Sequence, residues 1–68
     1  MAKFYVFGYV ITFYNSSGRT RSLPPVNKAR LFTEAGLKKN KTALENKYKT
    51  QLRGDETYLE VFYKFTVI

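Results

Sequence analysis

Residues Lys3 to Tyr14 read KFYVFGYVITFY, a run in which almost every position is aromatic or β-branched. Such side chains favour a pleated backbone, so the run predicts a strand. A strand with one solvated face alternates apolar and polar residues. This one does not: Phe4, Val6, Gly8, Val10, Thr12 and Tyr14 lie on one side, and the bulkier Tyr5, Phe7, Tyr9, Ile11 and Phe13 on the other. The simplest arrangement that accommodates both sets is a central strand with a neighbour along each edge.

The neighbours follow from the turn signals. Asn15-Ser16-Ser17-Gly18 predicts a tight turn with Gly18 free to take positive φ. A second strand, Arg19 to Leu23, is expected to be short and to stop at Pro24-Pro25, which cannot donate to a ladder. The chain closes on Thr57 to Val67, a long strand whose Leu59, Val61, Tyr63, Phe65 and Val67 form its apolar face.

Between them, residues 28 to 53 predict a helical region. Asn27 is a candidate N-cap and Gly36 a candidate C′ residue for a first segment. Thr42-Ala43-Leu44-Glu45 has the spacing of a capping box for a second, whose buried stripe is Leu44, Tyr48 and Leu52 and whose end is Gly54. The alternative is one kinked helix over the whole region. A helix-turn-helix fits poorly, because Phe32 is bulky where close packing wants a small residue.

One helical crossover leaves the second and last strands parallel to each other and antiparallel to the first. The expected fold is thus α+β, a two-layer ββαβ sandwich with a three-stranded sheet in the order 2-1-3 and one kinked or two short helices on one face. Pairing through the four-residue turn places Tyr14 opposite Arg19, Thr12 opposite Arg21 and Val10 opposite Leu23. The bulkier set of the first strand then meets the helix. The other sheet face is expected to be open and to show Phe4, Val6, Val10, Tyr14, Tyr58 and Phe62 with Arg19, Arg21 and Lys64.

Charge narrows the partners. The chain has 68 residues, suited to one domain with a small core, and 12 Lys and Arg against 5 Asp and Glu, a net charge of +7. Between Arg19 and Arg53 ten basic residues face only Glu34 and Glu45, a local charge of +8. Such a balance suits nucleic acid, anionic lipid or an acidic protein surface. No run approaches the roughly 18 apolar residues of a membrane span. The first strand lacks the small-residue cleavage site of a secretory leader, and the cytoplasm is the expected compartment. The glycosylation triplets beginning at Asn15 and Asn40 are not expected to meet the machinery that reads them, and Arg53-Gly54-Asp55 spells an adhesion tripeptide whose glycine is more simply a helix C-cap.

Catalysis is not expected. The chain has no Cys and no His, which removes disulfides, thiolate and imidazole metal ligands and the commonest general base. Asp55, Glu56 and Glu60 cluster at the start of the last strand, where turn and solvent-face positions explain them. No cofactor or metal is expected. Lys38-Lys39-Asn40-Lys41-Thr42, before the second helical segment, is a candidate phosphate site, which Lys47 and Arg53 would extend.

The first strand invites comparison with the RNA recognition motif, whose signature is K/R-G-F/Y-G/A-F-V-x-F/Y. Lys3, Tyr5 and Phe7 match it; Phe4, Val6, Gly8 and Val10 depart from it. The resemblance implies that Tyr5 and Phe7 stack bases, against their expected place in the core. That family also needs a βαββαβ chain, and this one is too short and begins with a hairpin. The resemblance assigns no family.

The expected function is a small basic non-enzymatic module that binds nucleic acid, single-stranded or through backbone contacts. Its candidate residues are Arg19, Arg21, Lys38, Lys39, Lys41, Lys47, Arg53 and Lys64, beside a sheet face presenting Phe4, Tyr14, Tyr58 and Phe62. The alternative is a modulator of the kind mobile genetic elements encode, which docks an acidic protein partner on those rings. A homodimer is compatible with either.

Overall fold

The computed structural model describes residues 2–68. Strand β1 (Lys3–Asn15) turns into β2 (Gly18–Ser22), β3 (Val26–Thr33) follows, helix α1 (Glu34–Tyr48) and a 3₁₀ turn (Lys49–Gln51) cross over, and β4 (Tyr58–Val67) closes the chain. The result is the expected small α+β fold: a sheet with β1 at its centre and one helix on one face. Strand β4 runs antiparallel to β1 from Phe4 to Tyr14, while β2 and β3 lie end to end along the other edge.

The second strand does not stop at the prolines. Leu23 N still donates to Ile11 O at 2.9 Å, and pairing resumes with Val26 opposite Tyr9. Residues 28 to 33 are therefore strand, not helix. Without β3 the N-terminal half of β1 would have an unpaired backbone edge, and satisfying that edge outweighs the weak helical pattern.

The helix consequently starts later and is continuous. Thr33, not Asn27, is its N-cap, its Oγ1 accepting from Gly36 N at 3.1 Å. Gly36 sits in the first turn instead of ending a helix. A Cβ there would lie 3.1 Å from Thr33 Oγ1 and 3.7 Å from Phe32 Cδ1, so its lack of a side chain lets the cap and Phe32 close on the helix. Thr42 and Glu45 fall inside α1 and cap nothing.

The core lies between helix and sheet. Ile11, Phe13, Leu59 and Val61 are buried, with Leu44 and Tyr48 of the helix packed on them as the spacing predicts; Leu52 also packs there, but from extended backbone beyond the 3₁₀ turn instead of from a helix running to Gly54. Asn40 continues that stripe toward the N-terminus, and Tyr63 Oη donates to its Oδ1 at 2.6 Å. This bond satisfies a polar side chain on the apolar stripe.

Two irregularities decide which residues face the helix. Between Val6 and Gly8 the ladder slips against both neighbours: β1 advances two residues while β4 advances one and β3 advances three, so Phe7 is the extra residue against β4 and β3 carries the extra residue on the other edge. A single extra residue exchanges the two faces. Val6 is buried on the helix side and Phe4 meets Phe65 there, ring centroids 5.6 Å apart, whereas Tyr5 and Phe7 turn to the open side. This reverses the expectation for the first half of β1; the second half, Tyr9, Ile11 and Phe13, faces the helix as predicted. Gly8 makes the slip possible, because a Cβ there would stand 2.4 Å from Val26 O.

The second irregularity lies in β2. Tyr14 pairs with Arg19 as expected, but Phe13 pairs with Arg21 and Thr12 with Ser22, so Thr20 is the extra residue. Its Oγ1 donates to Phe13 O at 3.2 Å. Arg21 is thereby rotated from the open face to the helix side.

Candidate nucleic-acid interface

The face away from α1 is a shallow platform. Across it run Lys3, Tyr5, Phe7, Val10, Thr12 and Tyr14 from β1, and Tyr58, Glu60, Phe62, Lys64 and Thr66 from β4; Leu31 of β3 lies beside Tyr5 and Arg19 of β2 beside Tyr14. Four of its rings are partly solvent-exposed: Tyr5 36%, Phe7 48%, Tyr58 48% and Phe62 46%. At 150–250 Å² per aromatic side chain they expose on the order of 400 Å², the scale of a functional patch on a small protein.

Four of the platform's rings meet in pairs. Tyr14 and Tyr58 stack with centroids 5.0 Å apart and planes within 6°, and Tyr5 meets Phe7 edge to face at 4.9 Å. Beneath them Thr12 is buried, its Oγ1 3.1 Å from Ser22 Oγ. A ring fixed by packing gives up little entropy when a flat ligand lands on it.

The basic candidates divide between the two layers. Arg19 and Lys64 lie on the open face as expected, and Lys3 joins them. Among the described residues none of the three is within salt-bridge distance of an acid. Lys38, Lys39, Lys41 and Lys47 belong to α1, on the other layer. Lys38 and Lys39 lie within the helix instead of in a loop before one, so the expected phosphate cradle ahead of a second helix does not exist. Lys38 Nζ is 3.6 Å from Glu34, Lys47 Nζ is 5.5 Å from the Tyr48 ring centre, and Arg53 follows the 3₁₀ turn with its backbone N–H on Glu56.

Arg21 lies on the helix side, away from its expected place on the open face. Its guanidinium lies 3.9 Å over the Phe13 ring, its Nε donates to Glu56 Oε2 at 3.0 Å and its second amine to Gln51 O at 2.7 Å. Glu56 also accepts from Thr20 Oγ1 and Arg53 N. These bonds, Thr20 first and then Arg21, hold its carboxyl well below the usual 4.5, at about 2. The acids expected to cluster are thus separated in role: Glu56 clips β2 to the crossover, Asp55 accepts from Asn15 Nδ2 at 2.8 Å, and Glu60 stands on the platform. Among the described residues no three acidic side chains converge as a metal site would require, and no helix is long and apolar enough to cross a membrane.

Of the aromatic candidates, Tyr14, Tyr58 and Phe62 are on the platform and Phe4 is not. Tyr5, Phe7 and Leu31 are there unexpectedly; a glycine inside a strand signals a bulge, and Gly8 was that signal. On the helix side a cavity of about 170 Å³ opens between α1 and β3, lined by Tyr9, Lys28, Arg30, Asn40 and Tyr63 among others. Burial first, then Tyr9 and Glu45, push the Tyr63 phenol up to about 12, so it stays a hydrogen-bond donor. Comparison of the chain with protein families, curated proteins and solved structures found no match.

Proposed function

We propose that this chain is a small non-enzymatic module that holds single-stranded nucleic acid against its open sheet face. One observation carries the reading: half-exposed rings at Tyr5, Phe7, Tyr58 and Phe62 are interleaved with Lys3, Arg19 and Lys64, none of which pairs with an acid among the described residues. Bases stack on such rings for about 1–3 kcal/mol each without regard to sequence, while cations alongside meet the phosphates. The lysines of α1 lie on the other layer and act at a distance, raising the rate of encounter without touching the strand.

The division of charge makes the reading quantitative. Two to three phosphate contacts imply that the logarithm of affinity for a single strand falls with that of salt at a slope of about −1.4 to −2. Fluorescence anisotropy with labelled single-stranded DNA and RNA over a salt series measures this. Arg19→Ala lowers the slope by about 0.7, Phe62→Ala weakens binding roughly 5- to 150-fold at every salt, and replacing Lys38, Lys39 and Lys41 together leaves the slope unchanged. Absence of binding at low salt, or a slope set by the helix lysines, overturns the reading; in the first case the rings become a protein-docking surface.

A further inference from the structure

Strand β4 has one edge with no partner. It pairs with β1 along its length and with no other described strand. Ile68 N donates to Lys3 O at 2.8 Å and Lys3 N to Ile68 O at 3.0 Å. By the alternation of an antiparallel ladder, backbone groups of the even-numbered residues face β1, and those of Leu59, Val61, Tyr63, Phe65 and Val67 face outward. Natural edges are blunted by proline, bulges, short length or repeated charge. This edge spans ten residues without proline or glycine, and its only charges are Glu60 and Lys64.

Those two charges have opposite signs and are placed symmetrically about Phe62. When two copies of a strand pair antiparallel about a two-fold axis normal to the sheet, one residue meets itself and its neighbours meet in reciprocal pairs. Centring on Phe62 sets Glu60 opposite Lys64 of the second copy, twice. Centring on Val61 sets Glu60 against Phe62 and Lys64 against Tyr58; centring on Tyr63 sets Lys64 against Phe62 and Glu60 against Thr66. Only the Phe62 register matches both charges. It makes the even-numbered residues the non-hydrogen-bonded pairs, whose side chains approach most closely, while Val61 with Tyr63 and Leu59 with Phe65 exchange backbone bonds.

The helix side of β4 is complementary in the same register. Phe65 is 48% exposed although it lies on the apolar face. At the other end of the strand, beside Leu59, a cavity of about 230 Å³ is lined by Glu45, Lys49, Leu52 and Tyr58 among others. The Phe62 register brings Phe65 of one copy to Leu59 of the other.

We propose that two copies of the chain join through their β4 edges, antiparallel and centred on Phe62, with Phe65 of each filling the cavity beside Leu59 of the other. The two open faces then form one continuous platform. This inference stands on the edge and its charges; in the dimer Lys64 pairs with Glu60 of the second copy, so Lys3 and Arg19 are, among the described residues, the cations left free on the platform. Sedimentation velocity of the full chain tests it. The wild-type protein is expected to sediment as a dimer of twice the 8.0 kDa chain mass. Glu60→Lys or Lys64→Glu alone sets like charges opposite each other at two places and weakens the dimer about tenfold or more. The double exchange, Glu60→Lys with Lys64→Glu, restores it. A monomer at every concentration overturns the proposal, as does a dimer indifferent to the single reversals or not rescued by the double exchange.

Discussion

Substituting Gly8 by alanine tests the slip that sorts the rings of β1 between core and platform. A methyl group on Gly8 would stand 2.4 Å from Val26 O and 3.3 Å from Asn27 Cα. Carbon and oxygen settle at roughly 3.3 Å even in a favourable contact, so β3 must retreat by nearly 1 Å. The obstacle is backbone held in a ladder, which cannot rotate aside as a side chain would. Forced shifts of this kind cost about 1–3 kcal/mol, and removing a glycine from a strand returns about 0.5–1 kcal/mol. The expected net loss is about 0.5–2 kcal/mol, a sizeable share of the stability of so small a domain. It corresponds to a fall in Tm of roughly 2–16 °C. Urea unfolding followed by circular dichroism, with wild type and Gly8→Ala fitted to a common slope, measures it. Equal or greater stability of the variant would refute the reasoning, because β3 would then not press on β1 at this point.

Three other outcomes follow from the same geometry. Phe13→Ala, which empties a fully buried site, costs about 3–5 kcal/mol, whereas Phe62→Ala on the platform costs less than about 1 kcal/mol; equal losses in chemical unfolding would put the core on the wrong side of the sheet. Between pH 4.5 and about 2 the unfolded chain protonates Glu56 while the folded one does not, so stability is complete above that window and declines as pH falls through it. Thermal melts should show wild type losing its advantage over Glu56→Gln across that range, and parallel curves would contradict the clip. Tyr63→Phe removes the donor to Asn40 at a cost of about 1 kcal/mol. Because burial pushes that phenol up to about 12, the variant should lose absorbance from the high-pH end of an ultraviolet titration; a loss near the ordinary phenol value of 10 would argue against burial of that hydroxyl.

The layered plan was legible in the sequence because it depends on patterns long enough to average out local exceptions. The apolar run at Lys3 to Tyr14 required a central strand, and the Leu44, Tyr48 and Leu52 stripe located the helix over it. The errors come from single residues whose effect depends on pairing elsewhere in the chain. Lys28 to Thr33 reads as helix only if the edge of β1 is left out of account. Phe7 and Thr20 are each one residue too many for their ladders, and each reverses which side chains share a face: Phe4 leaves the platform, Tyr5 joins it, and Arg21 becomes a clamp over Phe13. Of the four ring candidates only Phe4 was displaced, and Lys38, Lys39 and Lys41 fall inside the helix because Lys28 to Thr33 pairs as strand. Gly8 advertised the first slip. Nothing local advertised the second, since a threonine between two arginines is an ordinary strand sequence.

The open sheet face is the proposed working surface, and backbone amide chemical shifts read it directly. Titrating an unlabelled oligothymidine into ¹⁵N-labelled protein should move resonances of Tyr5, Phe7, Val10, Arg19, Tyr58, Phe62 and Lys64 and leave those of Glu34 to Tyr48 in place. Shifts confined to the helix and its lysines, or none at all, would contradict it.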